Sequence, residues 1–138
     1  MPTIRPFEVG DTEEVVALWD RCGLLRPWND PRKDIERKLT VQPELFFVAE
    51  SDGVVATAMA GYDGHRGWLY YVAVAPERRG EGIGRDIVAH SESALTNLGC
   101  PKINVQIRSG NDAVQSFWSG LGFEPDQATG MGKRLIPD

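Results

Sequence analysis

The stretch Trp68–Gly99, WLYYVAVAPERRGEGIGRDIVAHSESALTNLG, decides the fold because three different patterns follow one another in it. Aromatic and β-branched residues fill Trp68–Val74, which predicts a strand. Pro76 ends that strand, and a short loop with three glycines follows at 80–84. Apolar residues then recur at helical spacing until Gly99, which suits the position just past a helix end. The sequence therefore predicts a central unit of strand, glycine-rich loop and helix.

The glycine-rich loop has the composition of a phosphate-binding helix start. The first N–H groups of a helix lack intrahelical partners, and the helix dipole makes that end partly positive. Glycines let a ligand approach these groups, and Arg78, Arg79 and Arg85 add positive charge beside them. On composition alone, a tight turn whose glycines serve only the backbone is the alternative. The loop is not a P-loop, because no Lys-Ser/Thr follows, and it lacks the G-x-G-x-x-G spacing.

Three linked motifs resemble those of the GCN5-related N-acetyltransferases, a family that uses acetyl-CoA. Arg79-Gly80-Glu81-Gly82-Ile83-Gly84 matches the family's R/Q-x-x-G-x-G/A signature, and Val72–Pro76 resembles its V-x-V-x-P strand end. Downstream, Asn111, Phe117-Trp118 and Leu121-Gly122-Phe123 resemble its N…FY…LGF helix. The segments 24–31 and 61–67 are similar to the small bacterial YpeA-type subgroup.

The resemblance implies acetyl-CoA as the acetyl-donor co-substrate. The backbone groups of two strand residues would hold its pantetheine arm, and those of the glycine-rich loop would hold its pyrophosphate. Asn111 would contact the arm while also capping its helix. The cofactor-binding residues predicted in this way are Val72, Val74, Arg79, Gly80, Glu81, Gly82, Ile83, Gly84, Arg85 and Asn111.

Length and patterning predict one domain over 1–138, of the α+β class, and the resemblance implies that it is an N-acetyltransferase domain. The expected order is β-α-α-β-β-β-α-β-α-β, with a mostly antiparallel mixed sheet flanked by helices, which is also the family's order. Lys102–Arg108 alternates like a half-exposed strand, and Met131–Ile136 is the expected last strand. Asp11 is a predicted helix N-cap that forms a capping box with Glu14, and Asp30 is a second predicted N-cap.

Composition excludes several classes of partner. The net charge of −5, without a basic run, argues against a general nucleic-acid binder. Cys22 and Cys100 fit neither a disulfide framework nor a metal-ligand spacing, so no metal site is expected. No apolar run reaches membrane-spanning length and the first residues do not resemble a signal peptide, which predicts a cytoplasmic protein without a membrane partner. A homodimer is compatible with the resemblance, since dimers are common in folds of this kind.

The loop at 24–29 is the predicted acceptor side, because in the resembled family it borders the acceptor pocket. Trp28 would form an apolar wall there, with Asn29 or Asp30 as a polar contact. The alternatives are a Trp28 that packs in the core and an Asp30 that only caps the next helix. Tyr70, on the central strand, is the further candidate for acceptor binding.

Acetyl transfer to an amine requires a group that accepts a proton, since a protonated amine has no lone pair to attack with. Two departures from the family affect this role. Trp118 stands where many members have a tyrosine that protonates the leaving thiolate, and Gln106 stands where some members have a glutamate base. The remaining candidates are Tyr70 or Tyr71, Asp63 and His65, or a water chain that they hold, and the base stays open between them.

The predicted function is acetyl-CoA-dependent transfer of an acetyl group to a primary amine of a small molecule or peptide. Direct attack in a ternary complex is expected, because neither cysteine lies where the family would need a covalent nucleophile. A non-catalytic acyl-CoA sensor of the same fold is the alternative, made plausible by Gln106 and Trp118. An interaction module whose glycine loop binds no phosphate is a third hypothesis.

Overall fold

The computed structural model describes residues 1–138, which form two compact units, Met1–Val105 and Gln106–Asp138. The first unit contains strands β1 to β5 and helices α1 to α3, and the second contains helix α4. Their bounds are Thr3–Pro6 (β1), Thr12–Arg21 (α1), Pro31–Lys38 (α2), Phe46–Glu50 (β2), Val54–Tyr62 (β3), Gly67–Val74 (β4), Ile83–Asn97 (α3), Ile103–Asn104 (β5) and Asp112–Gly120 (α4). None of these helices is both long and apolar enough to cross a lipid bilayer.

The first unit is built on one mixed sheet with the strand order β1-β2-β3-β4-β5. Strands β1 to β4 pair with one another in antiparallel fashion, and β5 runs parallel to β4. Asp52 and Gly53, with φ of 56° and 104°, form the turn that joins β2 to β3. The predicted α+β class with a mostly antiparallel sheet is therefore confirmed.

Helices α1 and α3 cover opposite faces of this sheet. The ring of Phe46 stacks on Trp19 of α1 with centroids 6.2 Å apart, while the next residue, Phe47, meets the ring of His90 of α3 at 4.6 Å. Successive side chains of a strand point to opposite faces, which separates the two helices. Trp19 and Phe46 are completely buried, and each such side chain stabilises the fold by about 1.5–3 kcal/mol.

Strand β4 contains a bulge at Tyr71. Between the pairs Met59–Tyr70 and Thr57–Ala73, β3 has one residue and β4 has two. The strand backbone changes direction at Tyr71, whose φ of 51° lies in the left-handed region that residues other than glycine rarely adopt. Beyond Trp68, β4 has lost its parallel partner as well, because β5 pairs only with Gly67 and Trp68. The remainder of β4 is paired with β3 alone.

In the second unit, α4 begins and ends with local hydrogen bonds. The side chain of Asn111 accepts the N–H of Val114 at 3.2 Å, as predicted for its cap. Trp118 is buried, and its ring meets that of Phe123 edge to face at 4.9 Å. The N–H of Phe123 donates to the carbonyl of Trp118 and ends the helix.

Two predicted strands differ from the structure. The strand expected over Lys102–Arg108 is limited to Ile103–Asn104, and the last strand expected over Met131–Ile136 does not form. A strand exists only where a neighbouring strand accepts and donates its hydrogen bonds, and a short alternation of apolar residues does not supply that neighbour. Met131 is instead 95% exposed.

The predicted capping box of α1 was wrong. The carboxylate of Asp11 accepts the N–H of Glu8 at 2.9 Å and pairs with Arg5 at 2.8 Å, and it makes no cap bond to α1. Glu14 accepts the N–H of Val54 at 2.9 Å instead. Both carboxylates bind partners outside the helix, and sequence spacing does not reveal such partners.

Candidate active site

The start of α3 is a helix N-terminus that no side chain of the protein caps. Its N-cap is Gly82, and the first main-chain bond of the helix runs from the N–H of Asp86 to the carbonyl of Gly82 at 3.0 Å. Gly80 and Gly82 have φ of 83° and 85°, and a Cβ at either position would meet no atom within 4 Å. These glycines are therefore required by the backbone conformation and leave open space in front of the amides. A pyrophosphate group fits this arrangement.

Arginines surround this helix start, and they differ in their partners. The Nε of Arg78 donates to both carboxylate oxygens of Glu81 at 3.1 Å, which offsets its charge. Arg79 donates from Nε to the carbonyl of Val74 at 3.3 Å, a neutral partner. Arg85 is exposed on the first turn of α3. Arg79 and Arg85 therefore add positive charge where an anionic ligand would meet the amides.

The second half of β4 presents backbone groups away from the sheet. The N–H of Ala75 donates to the carbonyl of Val55 on β3 at 2.8 Å. In an antiparallel pair, alternate residues direct their N–H and C=O groups to the partner strand. The N–H and C=O groups of Val72 and the N–H of Val74 thus face the other edge, where β5 has already ended. The carbonyl of Val74 already accepts hydrogen bonds from the Nε of Arg79 and the thiol of Cys22. This edge suits an extended ligand that pairs with the strand, as expected of a pantetheine arm.

Tyr71 joins three elements of the first unit through its side chain. Its ring stacks on Trp19 with centroids 3.7 Å apart. Its hydroxyl donates to Asp34 Oδ2 on α2 at 2.6 Å and accepts from Asn29 Nδ2 at 3.2 Å. Asn29 also donates to Asp34, which pairs with Arg37 at 3.3 Å. A phenol, a carboxylate and an amide therefore converge one residue before Val72.

Asp63 and His65 lie on the exposed loop between β3 and β4. The Oδ1 atom of Asp63 accepts the backbone N–H groups of Arg66 and His65, at 2.7 and 2.8 Å. These bonds hold the pKa of Asp63 below its ordinary value. The carboxylate is bonded to the His65 backbone and stabilises the turn, and its lowered pKa makes it a weaker base.

The predicted acceptor residues are half-exposed or exposed. Trp28 is 56% exposed in the turn closed by the bond from the Asn29 N–H to the Arg26 carbonyl. Tyr70 stacks on Trp68 with centroids 6.2 Å apart, and partial burial, with Asp63 nearby, raises its pKa.

Asp30 is the N-cap of α2, since its carboxylate accepts the N–H groups of Arg32 and Lys33 at 2.9 and 3.3 Å. The capping alternative is therefore confirmed for Asp30.

Residues 12–123 match the sequence profile of the acetyltransferase (GNAT) family. The chain belongs to this family. An acetyltransferase of Sodalis glossinidius is 53% identical over 137 residues, in an alignment that covers 98% of this chain and 96% of the relative. This GNAT protein is thus an acetyl-CoA-dependent N-acetyltransferase, and acetyl-CoA is its acetyl donor.

Solved structures of GNAT enzymes share its fold. The structure of AAC(6')-Iy in complex with the bisubstrate analogue CoA-S-monomethyl-acetylneamine has a TM-score of 0.78 at 23% identity, with 98% of this chain and 99% of that chain covered. The ribosomal-protein alanine N-acetyltransferase of Escherichia coli has a TM-score of 0.75 at 22% identity, with 92% and 80% covered. At this identity the likeness is one of fold.

Sequence reasoning missed Asp34 and Thr57 in this GNAT site. Asp34 precedes the buried Ile35 on α2 and lies one turn before the half-buried Lys38, so helical spacing could have placed it on the inward face. Thr57 gave a weaker signal, a lone polar residue within the apolar run 54–61. Trp118 and Gln106, the two departures from the family, belong to the second unit, where Trp118 is buried and Gln106 is exposed.

Proposed function

We propose that this acetyltransferase acts on a primary amine of a small molecule or peptide, which attacks the donor directly in a ternary complex. The observation that carries the proposal is the hydrogen-bonded Tyr71 hydroxyl, one residue from the open backbone of Val72. Tyr71 is the residue for proton transfer, and Asp34 is its proton acceptor.

Proton transfer would run from the amine to the Tyr71 oxygen as the phenolic proton moves to Asp34. The tyrosine is neutral before and after this step, the amine loses one proton, and the carboxylate gains it. Asn29 donates to the same phenol oxygen and keeps it oriented. Acetyl-CoA would supply the activated acetyl group: the amine nitrogen would bond to the thioester carbon, the C–S bond would break, and CoA would leave as its thiolate. The N–H of Val72 would donate to the thioester oxygen, where negative charge develops.

The hairpin-loop candidates Asp63 and His65 are the rival assignment for the base. Comparing Tyr71→Phe with His65→Gln tests the two, because each change removes one proton-carrying group and keeps most of the side chain. We expect Tyr71→Phe to lower kcat by about 100-fold or more, the usual weight of a general acid or base. A loss of that size in His65→Gln, with Tyr71→Phe unaffected, would instead assign proton transfer to the hairpin loop.

Direct attack is supported by the hydrogen bond of the Cys22 thiol to the Val74 carbonyl at 3.4 Å. Engaged in this way, the thiol serves the strand and is not presented as a nucleophile. Cys22→Ala should therefore keep turnover, and initial rates at varied concentrations of both substrates should give intersecting reciprocal plots. Parallel plots, together with a burst of free CoA that Cys22→Ala abolishes, would indicate a covalent route.

The acceptor is proposed to lie against Trp28, Asn29 and Tyr70, on the side of the loop at 24–29. Two GNAT neighbours support an amine acceptor, since their names contain acetylneamine and ribosomal-protein alanine. Screening amines for CoA release would identify the class. Trp28→Ala is expected to raise the KM of the acceptor while the Kd of acetyl-CoA stays unchanged. The opposite result would place Trp28 at the donor.

Four broader assignments belong to the same proposal. Residues 1–138 act as one acetyltransferase domain, which is supported by a family match that spans both units. The protein is cytoplasmic, which is consistent with its two unpaired cysteines. It forms a homodimer, and light scattering on the purified protein tests this. Membership of the YpeA-type subgroup stays a prediction.

A further inference from the structure

The bulge at Tyr71 decides which edge of β4 its last residues face. Before the bulge, the N–H of Gly67 donates to Lys102 on the β5 side at 2.8 Å. In a regular strand every second residue has the same direction, so Ala75 would face β5 as well. The N–H of Ala75 instead donates to Val55 on β3. The extra residue therefore turns Val72 and Val74 from the β3 side to the open edge.

A bulge at this position requires contacts that hold the backbone of Tyr71 in its left-handed conformation. A residue with a side chain keeps a positive φ only where its surroundings impose it. The carbonyl of Tyr71 accepts a hydrogen bond from Thr57 Oγ1 at 2.7 Å. The bulge residue thus receives from a side chain the hydrogen bond that the interrupted strand pairing does not provide.

Thr57 is itself fixed in the core. It is completely buried, and its Oγ1 accepts the indole N–H of Trp19 at 2.9 Å. The ring of Trp19 also stacks on that of Tyr71. The hydroxyl therefore accepts one hydrogen bond and donates one, and Tyr71 is held at its ring and at its carbonyl.

A buried hydroxyl among the apolar residues of β3 is unfavourable unless it is hydrogen-bonded. Here the bond from Trp19 fixes the hydroxyl, and the bond to the carbonyl of Tyr71 fixes the bulge. We propose that Thr57 is a positioning residue for the donor-binding edge of β4. Its hydroxyl sets the direction of the Val72 and Val74 backbone groups without touching the ligand. This inference rests on the proposed placement of the pantetheine arm at that edge.

The test compares two substitutions that separate the hydroxyl from the shape of the side chain. Thr57→Val removes the hydroxyl and keeps the shape, while Thr57→Ser keeps the hydroxyl and loses the methyl group. Calorimetric titration with acetyl-CoA and with CoA should show affinity at least about tenfold weaker for Thr57→Val, and close to the parent for Thr57→Ser. In turnover, the KM of acetyl-CoA should rise in Thr57→Val and the KM of the acceptor should not.

Ser91→Ala is the matched control, because Ser91 is a second completely buried hydroxyl, bonded to the Ile87 carbonyl within α3 at 2.9 Å. A purely structural role of Thr57 would lower the melting temperature as Ser91→Ala does and leave the affinity of the folded protein unchanged. That result, from a parent protein that binds acetyl-CoA, would overturn the inference.

Amide hydrogen exchange of the free protein keeps the two proposals separate. The Ala75 amide should exchange slowly and those of Val72 and Val74 rapidly in the parent and in Thr57→Ser, and this contrast should be lost in Thr57→Val. If the parent binds neither acetyl-CoA nor CoA, the proposed donor site is wrong. Independently of binding, if Thr57→Val keeps the slow exchange of the Ala75 amide and the rapid exchange of the Val72 and Val74 amides, the proposed role of Thr57 is wrong. Thr57→Cys, with a weak thiol donor, replaces the valine variant should that fail to fold.

Discussion

Helices α2 and α3 begin in opposite ways. At α2, Asp30 accepts the N–H groups of Arg32 and Lys33, so the protein satisfies the end of its own helix. At α3, the N-cap is Gly82, which has no side chain and faces open space. Both ends have the same unpaired amides and the same positive dipole. A helix start becomes an anion site only where the protein leaves it uncapped.

The difference has a cost in stability. A capping aspartate stabilises a helix by about 1 kcal/mol relative to alanine. At α3 the glycine N-cap gives up only about a few tenths of a kcal/mol relative to such a residue, and Arg79 and Arg85 instead add charge that attracts an anion. The α3 end is therefore organised for a ligand, and the α2 end for the fold.

The largest expected effect comes from filling the open space at α3. Gly82→Trp places an indole in front of the amides and should weaken acetyl-CoA binding by at least about 100-fold. Gly99→Trp is the matched control, because Gly99 follows the other end of the same helix, with the same φ of 85° and no neighbour within 4 Å. Each change strains the backbone by about 1–2 kcal/mol. The measurement is calorimetric titration of the folded variants with acetyl-CoA. Equal acetyl-CoA affinity in Gly82→Trp and Gly99→Trp would mean that the pyrophosphate does not bind at the start of α3.

A smaller effect is expected when the cap of α2 is transferred to α3. Asparagine and aspartate tolerate a positive φ better than other side chains, so Gly82→Asn and Gly82→Asp should fold alike. The aspartate adds a negative charge where the pyrophosphate would lie, and its acetyl-CoA affinity should be about tenfold below that of the asparagine variant. Raising the salt concentration should narrow this gap. A gap that salt does not change would argue against a charged ligand group at this end.

Removing the cap of α2 should affect stability alone. Asp30→Ala should lower the free energy of unfolding by about 1 kcal/mol in urea titrations, and Asp30→Asn should restore most of it. The acetyl-CoA affinity of the folded protein should stay at the parent value in both variants. A tenfold loss of affinity would show that α2 also contributes to the donor site.

Both helix starts could be predicted from the sequence because their signals are local. Asp30 directly precedes Pro31, and the glycines at 80–84 directly precede the apolar helix pattern. The bond from Tyr71 to Asp34 joins residues 37 positions apart, and it depends on a bulge that no spacing announces. The missing last strand has the same origin, since the pattern of a strand says nothing about its partner.

Helix α1 adds a third case, in which the acid before the helix caps a neighbouring turn. The hydrogen bond from Arg5 lowers the pKa of Asp11 despite burial, which acts in the opposite direction. A folded-state pKa below the unfolded value, near 3.9, gives stability that is present above that value and is lost as the pH falls through the folded pKa.

Asp11→Asn should therefore flatten the stability curve in the acidic range. Urea unfolding at pH values from about 2 to 6 should show a smaller slope against pH, by less than one proton per molecule. Asp20→Asn, the same substitution at an exposed acid of the same helix, is the matched variant for comparison. If Asp11→Asn kept the parent slope, the Arg5 pair would add nothing to acid stability. The start of α1 would then depend on the turn at Glu8 alone, and α1, like α3, would begin without an acidic N-cap residue that adds to stability.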